Sequence, residues 1–205
     1  MTASAPSATA ATANTSIAAR VAQLGMTLPP SPAPRGAYTG VVVHGGIAYV
    51  SGQVSRIGDQ VVAGPVDHAT PPDVIQLAAR TCVLRALSAL DAALPATMAV
   101  DRVLFLRGFV NAVPGFAHHS QVLDDASSLL HEIFGDAGRH ARSALGVASL
   151  PGNGLLEIEL TVALSARPDV NATAGTAASS TESATESATE SATESATAGT
   201  TTSTT

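Results

Sequence analysis

The amino-acid sequence predicts an α+β domain in which a mixed β-sheet is covered on one face by two helices. Apolar residues recur at helical spacing in two stretches, over about 71–94 and 119–134. Runs of β-branched or alternating residues come before, between and after these stretches, as is typical of strands. A sheet with helices on one face buries the apolar sides of both kinds of element.

Composition divides the chain of 205 residues into three parts. Residues 1–15 are mostly Ala, Ser, Thr and Pro and lack core periodicity, so we predict a disordered tail. Residues 16–167 have ordinary composition and are predicted to form one domain. Residues 168–205 are again rich in Ala, Ser and Thr and repeat Glu-Ser-Ala-Thr over 182–197, which predicts a second disordered tail.

Charge and hydropathy exclude several classes of function. All ten basic residues are arginine, and the predicted domain carries eleven acids against them. This balance predicts no nucleic acid or membrane partner. No apolar run approaches the roughly 20 residues of a membrane-spanning helix, and the single Cys82 is predicted to be a buried apolar residue. We therefore expect a soluble, cytoplasmic protein without disulfides.

The N-terminal part of the domain predicts a short helix and then strands. Ser16 is a good helix N-cap, and Gly25 is a good stop. The Pro-rich residues 27–36 are expected to run extended over the surface. Two β-branched runs flank 44–46, a His-Gly-Gly sequence that predicts a β-hairpin, and a weaker strand follows at 60–64.

Two longer helices are predicted from their boundaries and apolar faces. The first follows Pro71 and ends before Pro95, and the second runs over about 119–134 and is broken at Gly135 and Gly138. The residues predicted to form much of their apolar faces are Ile75, Ala78, Ala79, Cys82, Leu87 and Leu90, and then Val122, Leu123, Ala126, Leu129, Leu130 and Ile133.

Three strands are predicted in the second half of the chain, over 100–110, 142–148 and 155–164. We expect the first to place Val103, Phe105 and Arg107 on one face. The last alternates, with one side formed by Leu156, Ile158, Leu160 and Val162. The opposite side carries carboxylates beside apolar residues. Such a half-polar sheet face is often covered by another subunit, which favours an oligomer.

Four short motifs occur in order on these elements. They are Gly36-Ala37-Tyr38, Val50-Ser51-Gly52-Gln53, Ala141-Arg142-Ser143, and Leu150-Pro151 followed by Leu156-Glu157-Ile158-Glu159. Each motif alone is common, but the set and its spacing resemble the Rid (YjgF-like) family, also called endoribonuclease L-PSP. The chain looks closest to a longer branch of that family, because of its Leu-Gly-Met-Thr-Leu-Pro-Pro segment and its Gly-Arg-His-Ala-Arg-Ser run.

The resemblance implies a chorismate-mutase-like fold and a homotrimer formed through the free sheet face, with three sites in clefts between subunits. It also implies a hydrolytic deaminase of small reactive enamines or imines, such as 2-aminoacrylate, that uses no metal and no cofactor. The partner it implies is a small carboxylated metabolite.

The resemblance also assigns roles to residues of this chain. Arg142 stands where the family binds the substrate carboxylate, a task suited to the forked, permanently charged guanidinium. Glu157 stands where the family shuttles protons. The deaminase branch carries an Asn in the second helix, and the nearest residues here are Ser127 and Ser128. The positions implied to line the cleft are Tyr38, Ser51, Gly52, Ser127 and Ala144, the last through its backbone carbonyl.

Each assignment has an alternative. Arg142 can pair with a neighbouring carboxylate, Glu157 can be an exposed strand residue, and Tyr38 can serve packing alone. The same cleft can also belong to a non-catalytic trimeric module that binds a small carboxylate or a partner protein. The Ser in place of Asn favours that alternative.

Two further signals are weaker. Arg139, His140 and Arg142 form a basic cluster that can meet RNA phosphate, but four Phe, two Tyr and no Trp provide few stacking platforms. His118 and His119 are adjacent and diverge on a helix, so a solvated helix face is favoured over a metal site.

Overall fold

The computed structural model describes residues 15–167. The predictions of disorder for 1–14 and 168–205 lie outside the described residues. The helices of the described part are α1 (Ile17–Gln23), α2 (Pro72–Ala93), α3 (His119–Val122) and α4 (Asp124–Phe134). The strands are β1 (Val41–His44), β2 (Ile47–Val54), β3 (Arg56–Ile57), β4 (Gln60–Val61), β5 (Met98–Asn111), β6 (Ala141–Val147) and β7 (Leu156–Ala166).

Five strands form one mixed sheet in the order β1-β2-β7-β5-β6. Only β5 and β6 run parallel, and helices α3 and α4 lie in the connection between them. Parallel neighbours need such a crossover, whereas antiparallel neighbours can be joined by a tight turn. Strands β3 and β4 form a separate small hairpin. The predicted strand at 60–64 is thereby reduced to two residues outside the main sheet.

The first hairpin is confirmed. Strands β1 and β2 are joined by Gly45 and Gly46, whose φ angles are 56° and 76°. Two consecutive positive φ angles belong to the tight turn that suits the twist of paired strands, and glycine adopts them without steric cost.

Helix α2 supplies the largest buried face of the helical layer. Of its predicted apolar residues, those between Ala78 and Leu90 are fully buried, whereas Ile75, nearer the start of the helix, is only partly buried. Cys82 is buried as predicted, and its thiol donates to the Leu156 carbonyl at 3.4 Å. Burial raises the pKa of Cys82 well above its ordinary value, so the thiol is an inert core group.

The second predicted helix is interrupted rather than continuous. A tighter turn interrupts it at Leu123, where φ is −93° and ψ is −6°, and the Leu123 amide donates to the Ser120 carbonyl, three residues back, at 3.1 Å. The Leu123 side chain is fully buried against Gly108, where a Cβ atom would collide with it. Because Gly108 has no side chain, β5 leaves space for the Leu123 side chain at this turn.

The prediction that Val103, Phe105 and Arg107 share one face of β5 is wrong. Val103 pairs with Val162, but Phe105 pairs with Thr161, so Leu104 is an extra residue in a β-bulge. Val103 therefore faces the core and is 1% exposed, whereas Phe105 and Arg107 lie on the opposite face.

Strand β7 confirms the predicted alternation. Its core-facing side chains are Leu156, Ile158, Leu160 and Val162, and each is at most 2% exposed. The opposite face of the sheet, which we call the outer face, is uncovered in the single chain. Val42 and Tyr49 are each 50% exposed there, and Leu145 is 42% exposed. Among residues 15–167, no helix has the length and apolar character needed to cross a membrane.

Candidate functional site

Arg142 lies on β6, the edge strand of the sheet, and points toward the helices. Its backbone is in register with the buried Leu106 of β5. Its guanidinium donates from Nη1 to Ser127 Oγ at 3.0 Å, and from Nη2 to Ser120 Oγ at 2.8 Å and Asp124 Oδ1 at 3.0 Å. Two helices thus hold one side of the fork in a fixed orientation.

A short hydrogen-bond chain continues from Arg142 into the fold. His140 Nδ1 lies 2.6 Å from the Gly138 carbonyl oxygen and therefore carries the hydrogen. Its Nε2 then accepts from the Ser127 hydroxyl at 3.2 Å, while that hydroxyl accepts from Arg142. Burial lowers the pKa of His140, and the charge of Arg142 acts in the same direction. The neutral imidazole fixes the hydroxyl so that its lone pair faces the guanidinium.

A cavity of about 380 Å³ opens beside this chain. Its lining consists of Ser127, Ser128, His131, Gly138, Arg139, His140 and Arg142. No Asp or Glu side chain belongs to that lining, although Asp124 contacts the guanidinium from α4. The Arg142 side chain keeps 21% of its surface exposed, and Nε makes no hydrogen bond with a described residue. The cavity is therefore suited to a small anion.

Glu157 lies on the outer face of the sheet, over β2. A Cβ atom at Gly52 would collide with Glu157 Oε1, so glycine makes room for the carboxylate. The register of β2 against β7 shifts between Val50 and Gln53, which places this glycine beside Glu157. Burial raises the pKa of Glu157, and the charge of Glu159 raises it further. Such a carboxyl holds its proton to higher pH than a solvated one.

Two other predicted residues lie on the segment before β1 and on β2. Ser51 donates its hydroxyl to the Thr39 carbonyl at 2.7 Å, which ties β2 to the segment before β1. Tyr38 is 52% exposed, and its hydroxyl accepts from the Arg35 amide at 3.4 Å. The phenol thus has a backbone partner and leaves its ring face open.

The predicted residues therefore form two groups rather than one. Ser51, Gly52 and Glu157 lie together on the β2–β7 side of the sheet. Arg142 and Ser127 lie at the β6 edge on the helical side, beside the half-buried Ala144 of the same strand. Within one chain the Arg142 guanidinium and the Glu157 carboxylate are on opposite faces of the sheet.

Part of the Arg142 environment was not predicted from the sequence. Ser120 and Asp124 contact the guanidinium, and His140 orients Ser127 rather than adding positive charge. A signal for Asp124 was present: Asp124 and Ser127 are three residues apart, a spacing that places both on one face of a helix. His140 follows Gly138 closely, and nothing local indicates which nitrogen donates.

No group of three or more His, Cys, Asp or Glu residues in the described part of the chain is placed to hold a metal ion. His118 and His119 instead pack against the Phe116 ring, with centroid distances of 5.8 Å and 5.4 Å.

Substitution of Gly52 by alanine tests the contact with Glu157. The added methyl would occupy the position of Glu157 Oε1, so the carboxylate must swing outward. Because the displaced carboxylate gains water, we expect the pKa of Glu157 to return toward its ordinary value. The measurement is an NMR pH titration of the Glu157 carboxyl carbon in both proteins. Gly40→Ala is the control, since a Cβ atom at that position would make only an ordinary contact with Pro34 Cγ at 4.0 Å. An unchanged titration in Gly52→Ala would contradict the packing described here.

The fold and the two groups of residues define the class of the protein: a small α+β protein with an arginine-bearing edge strand and an uncovered sheet face. The endoribonuclease L-PSP family profile matches residues 29–164. The chain therefore belongs to this family, which is also known as the YjgF family.

Relatives support the same assignment. Protein TCP17 of Trypanosoma cruzi is 38% identical over 152 residues, which cover 73% of this chain and 94% of the relative. A crystal structure of a protein of unknown function from Agrobacterium tumefaciens is 35% identical, with a TM-score of 0.64, and covers 73% of this chain and 93% of that one. A candidate endoribonuclease from Shewanella oneidensis is 26% identical with the same TM-score of 0.64, over 73% and 99% of the two chains.

Proposed function

We propose that the protein is a hydrolytic deaminase of small enamines or imines that carry a carboxylate, such as 2-aminoacrylate. The observation that carries this proposal is the preorganised Arg142. Its guanidinium is held by side chains of two helices at a cavity whose lining has no acid. A fork fixed in this way binds a planar carboxylate with little loss of side-chain freedom.

The proposed site is completed by a second copy of the chain. Because Arg142 and Glu157 lie on opposite faces of one sheet, they can meet only if the edge strand of one copy approaches the outer face of another. That face carries exposed apolar side chains, Val42, Tyr49 and Leu145 among them. Burying such a patch stabilises association. A homotrimer joined through this face satisfies both requirements.

An enamine such as 2-aminoacrylate first becomes an imine when a proton moves from its nitrogen to its terminal carbon. Hydrolysis of the imine then needs one water and two proton transfers from oxygen to nitrogen. Water adds to the imine carbon and forms a C–O bond while the imine nitrogen gains a proton. The resulting carbinolamine breaks its C–N bond, releases ammonia and leaves a 2-oxo acid. Glu157 is suited to moving these protons, because its raised pKa makes the carboxylate a better proton acceptor than an ordinary glutamate.

The direct test generates imines in situ with an amino-acid oxidase and traps the surviving imine with semicarbazide. We expect the native protein to reduce the trapped product for imines derived from small amino acids. Full trapping with every imine tested, while the protein remains folded and oligomeric, would overturn the deaminase assignment.

A second candidate is a non-catalytic module that binds a small carboxylate in the same cavity. The residues at 127 and 128 favour it, because they are serines where the deaminase branch of the family carries Asn. Calorimetric titration with 2-oxobutanoate separates the two candidates: binding without imine hydrolysis identifies the module. The endoribonuclease name of the family and of the Shewanella relative has no comparable support, since aromatic residues for base stacking are few.

The pKa of Glu157 predicts a pH-dependent stability difference. A carboxyl whose pKa is raised in the folded protein binds more protons folded than unfolded, so its contribution destabilises the fold as pH rises above the ordinary Glu value. We therefore expect Glu157→Gln to melt at a higher temperature than the native protein at neutral pH. This difference in melting temperature is expected to disappear toward about pH 4, where the unfolded carboxyl is also protonated.

Thermal melts of both proteins across this pH range make the measurement, with Glu132→Gln as the control for an exposed carboxyl on α4. A gap that widens on acidification would contradict the direction of the shift.

A further inference from the structure

A cavity of about 840 Å³ at the described surface contains none of the predicted site residues. We call it the arginine pocket. It lies between the Pro-rich segment, helix α2 and the β3–β4 hairpin. Its lining comprises Met26, Thr27, Leu28, Pro29, Pro30, Pro32, Ala33, Pro34, Arg35, Arg56, Ile57, Gly58, Leu77, Arg80, Thr81, Leu84 and Arg85. Cavities of this size are typical of small-molecule sites.

The charge of the pocket is one-sided. Four of the ten arginines of the chain line it, and no Asp or Glu does. Arg35 makes an ion pair with Asp59, but at 3.9 Å and with both side chains largely exposed. Arg56, Arg80 and Arg85 make no ion pair with a described carboxylate. Several guanidinium groups are therefore available to one anion.

Arg85 is the most distinctive of the four. Its Nε–H is buried and has no hydrogen-bond acceptor among the described residues, while Nη1 donates to the Arg56 carbonyl at 3.4 Å. Burial lowers the pKa of Arg85, and the like charges of Arg56 and Arg35 lower it further. A buried, unpaired donor on a charged group is costly, so the negative charge of an anion beside this guanidinium would offset part of that cost.

The remainder of the lining is apolar. Four prolines and Leu28 form one wall, and Leu77, Leu84 and Ile57 contribute from α2 and the hairpin. Leu77 is 47% exposed and Ile57 is 54% exposed, although both border a concave surface. Arg80 turns its guanidinium toward the Met26 sulfur at 3.1 Å rather than toward an oxygen. An inorganic anion would leave this apolar surface uncovered.

We infer that the arginine pocket binds a small amphipathic carboxylate, with the carboxylate at Arg85 and the apolar chain or ring along the wall formed by the prolines, Leu77 and Leu84. Guanidinium groups supply the donors for the carboxylate, and burial of the apolar part supplies the hydrophobic contribution. The pocket is separate from Arg142 and Glu157, so this binding does not depend on the proposed deaminase activity.

The test is calorimetric titration of the full chain with decanoate, decanol and inorganic phosphate. We expect decanoate to bind at least about 10-fold more tightly than decanol, because loss of one charge-assisted pair costs this much or more. We also expect decanoate to bind more tightly than phosphate, which has no apolar part. Equal affinities for decanoate and either of the other two probes would overturn the inference.

Variants locate the binding. Arg85→Gln removes the charge, and Leu77→Glu places a negative charge on an exposed position of the wall. Each is expected to weaken decanoate binding by about 10-fold or more. Arg102→Gln, on β5 and outside the pocket lining, is the matched control and should leave the affinity unchanged. If Arg85→Gln no longer unfolds cooperatively, the location of the site is tested by Leu77→Glu alone. An affinity for decanoate that Leu77→Glu leaves unchanged would contradict the site.

Imine hydrolysis is measured on the same Leu77→Glu protein and is expected to match the native protein. If the inference about the pocket is wrong, the decanoate measurements fail while imine hydrolysis is unaffected. If the deaminase proposal is wrong, imine hydrolysis is absent whatever the result with decanoate.

Discussion

Replacement of Arg142 by alanine is expected to lower kcat/KM for imine hydrolysis by about 10²–10³-fold, which is typical of losing a fixed charged donor. The effect should fall mainly on KM, because the guanidinium contacts the carboxylate rather than the reacting carbon. Arg142→Lys keeps the charge but loses the fork that Ser127 and Asp124 now orient. We expect it to recover only part of the loss. Steady-state kinetics with the semicarbazide readout provide the measurement.

The control for this prediction is Arg102→Ala, which removes an exposed arginine that only reaches the Asp136 carbonyl at 3.4 Å. Its activity should equal that of the native protein. Because Asp124 is largely exposed, Arg142→Ala should not leave a buried charge, and its melting temperature should stay close to that of the native protein. Native-like kinetics in Arg142→Ala would remove this residue from the site.

Replacement of Leu87 by alanine is expected to destabilise the domain by about 2–5 kcal/mol. Leu87 is fully buried on α2, in the core between the helices and the sheet. Removing its branched end leaves a cavity that the surrounding side chains fill only in part, so packing and transfer free energy are both lost. At about 2–4 °C per kcal/mol for a domain of this size, the melting temperature should fall by roughly 4–20 °C.

Leu77→Ala on the same helix is the matched control. Leu77 is 47% exposed, so the same chemical change should alter the free energy of unfolding by no more than about 0.5 kcal/mol. Urea titrations of the two variants, with the midpoint and slope fitted separately, compare them directly. Equal losses in both variants would show that the effect comes from the helix backbone rather than from burial of Leu87.

Most of the fold was predictable because its signals are local. The paired glycines at 45 and 46 require the turn that joins β1 and β2, and the helical spacing of apolar residues in α2 predicts its buried face. The family motifs identified Arg142 and Glu157 as the residues of interest. The structure shows that the first is held by two helices and that the second is desolvated beside Gly52.

The errors arose where strand pairing overrides local pattern. The bulge at Leu104 reverses the facing of Val103 relative to Phe105, and it arises in the pairing of β5 with β7, two strands that lie far apart in the chain. The interruption at Leu123 depends on Gly108, a residue on a different element. Leucine is common inside strands and helices, so the residue types at 104 and 123 do not indicate a bulge or an interruption.

The sequence by itself determined the α+β class, the order of the main elements, the core-facing side of β7 and the family to which the chain belongs. These follow from periodicity, turn residues and short motifs, all of which act over a few neighbouring residues. Only the tertiary structure decided that Arg142 and Glu157 lie on opposite faces of the sheet, that His140 orients Ser127, and that four arginines meet in one pocket. Those outcomes depend on contacts between residues far apart in the chain, where pairing and packing choose the partners.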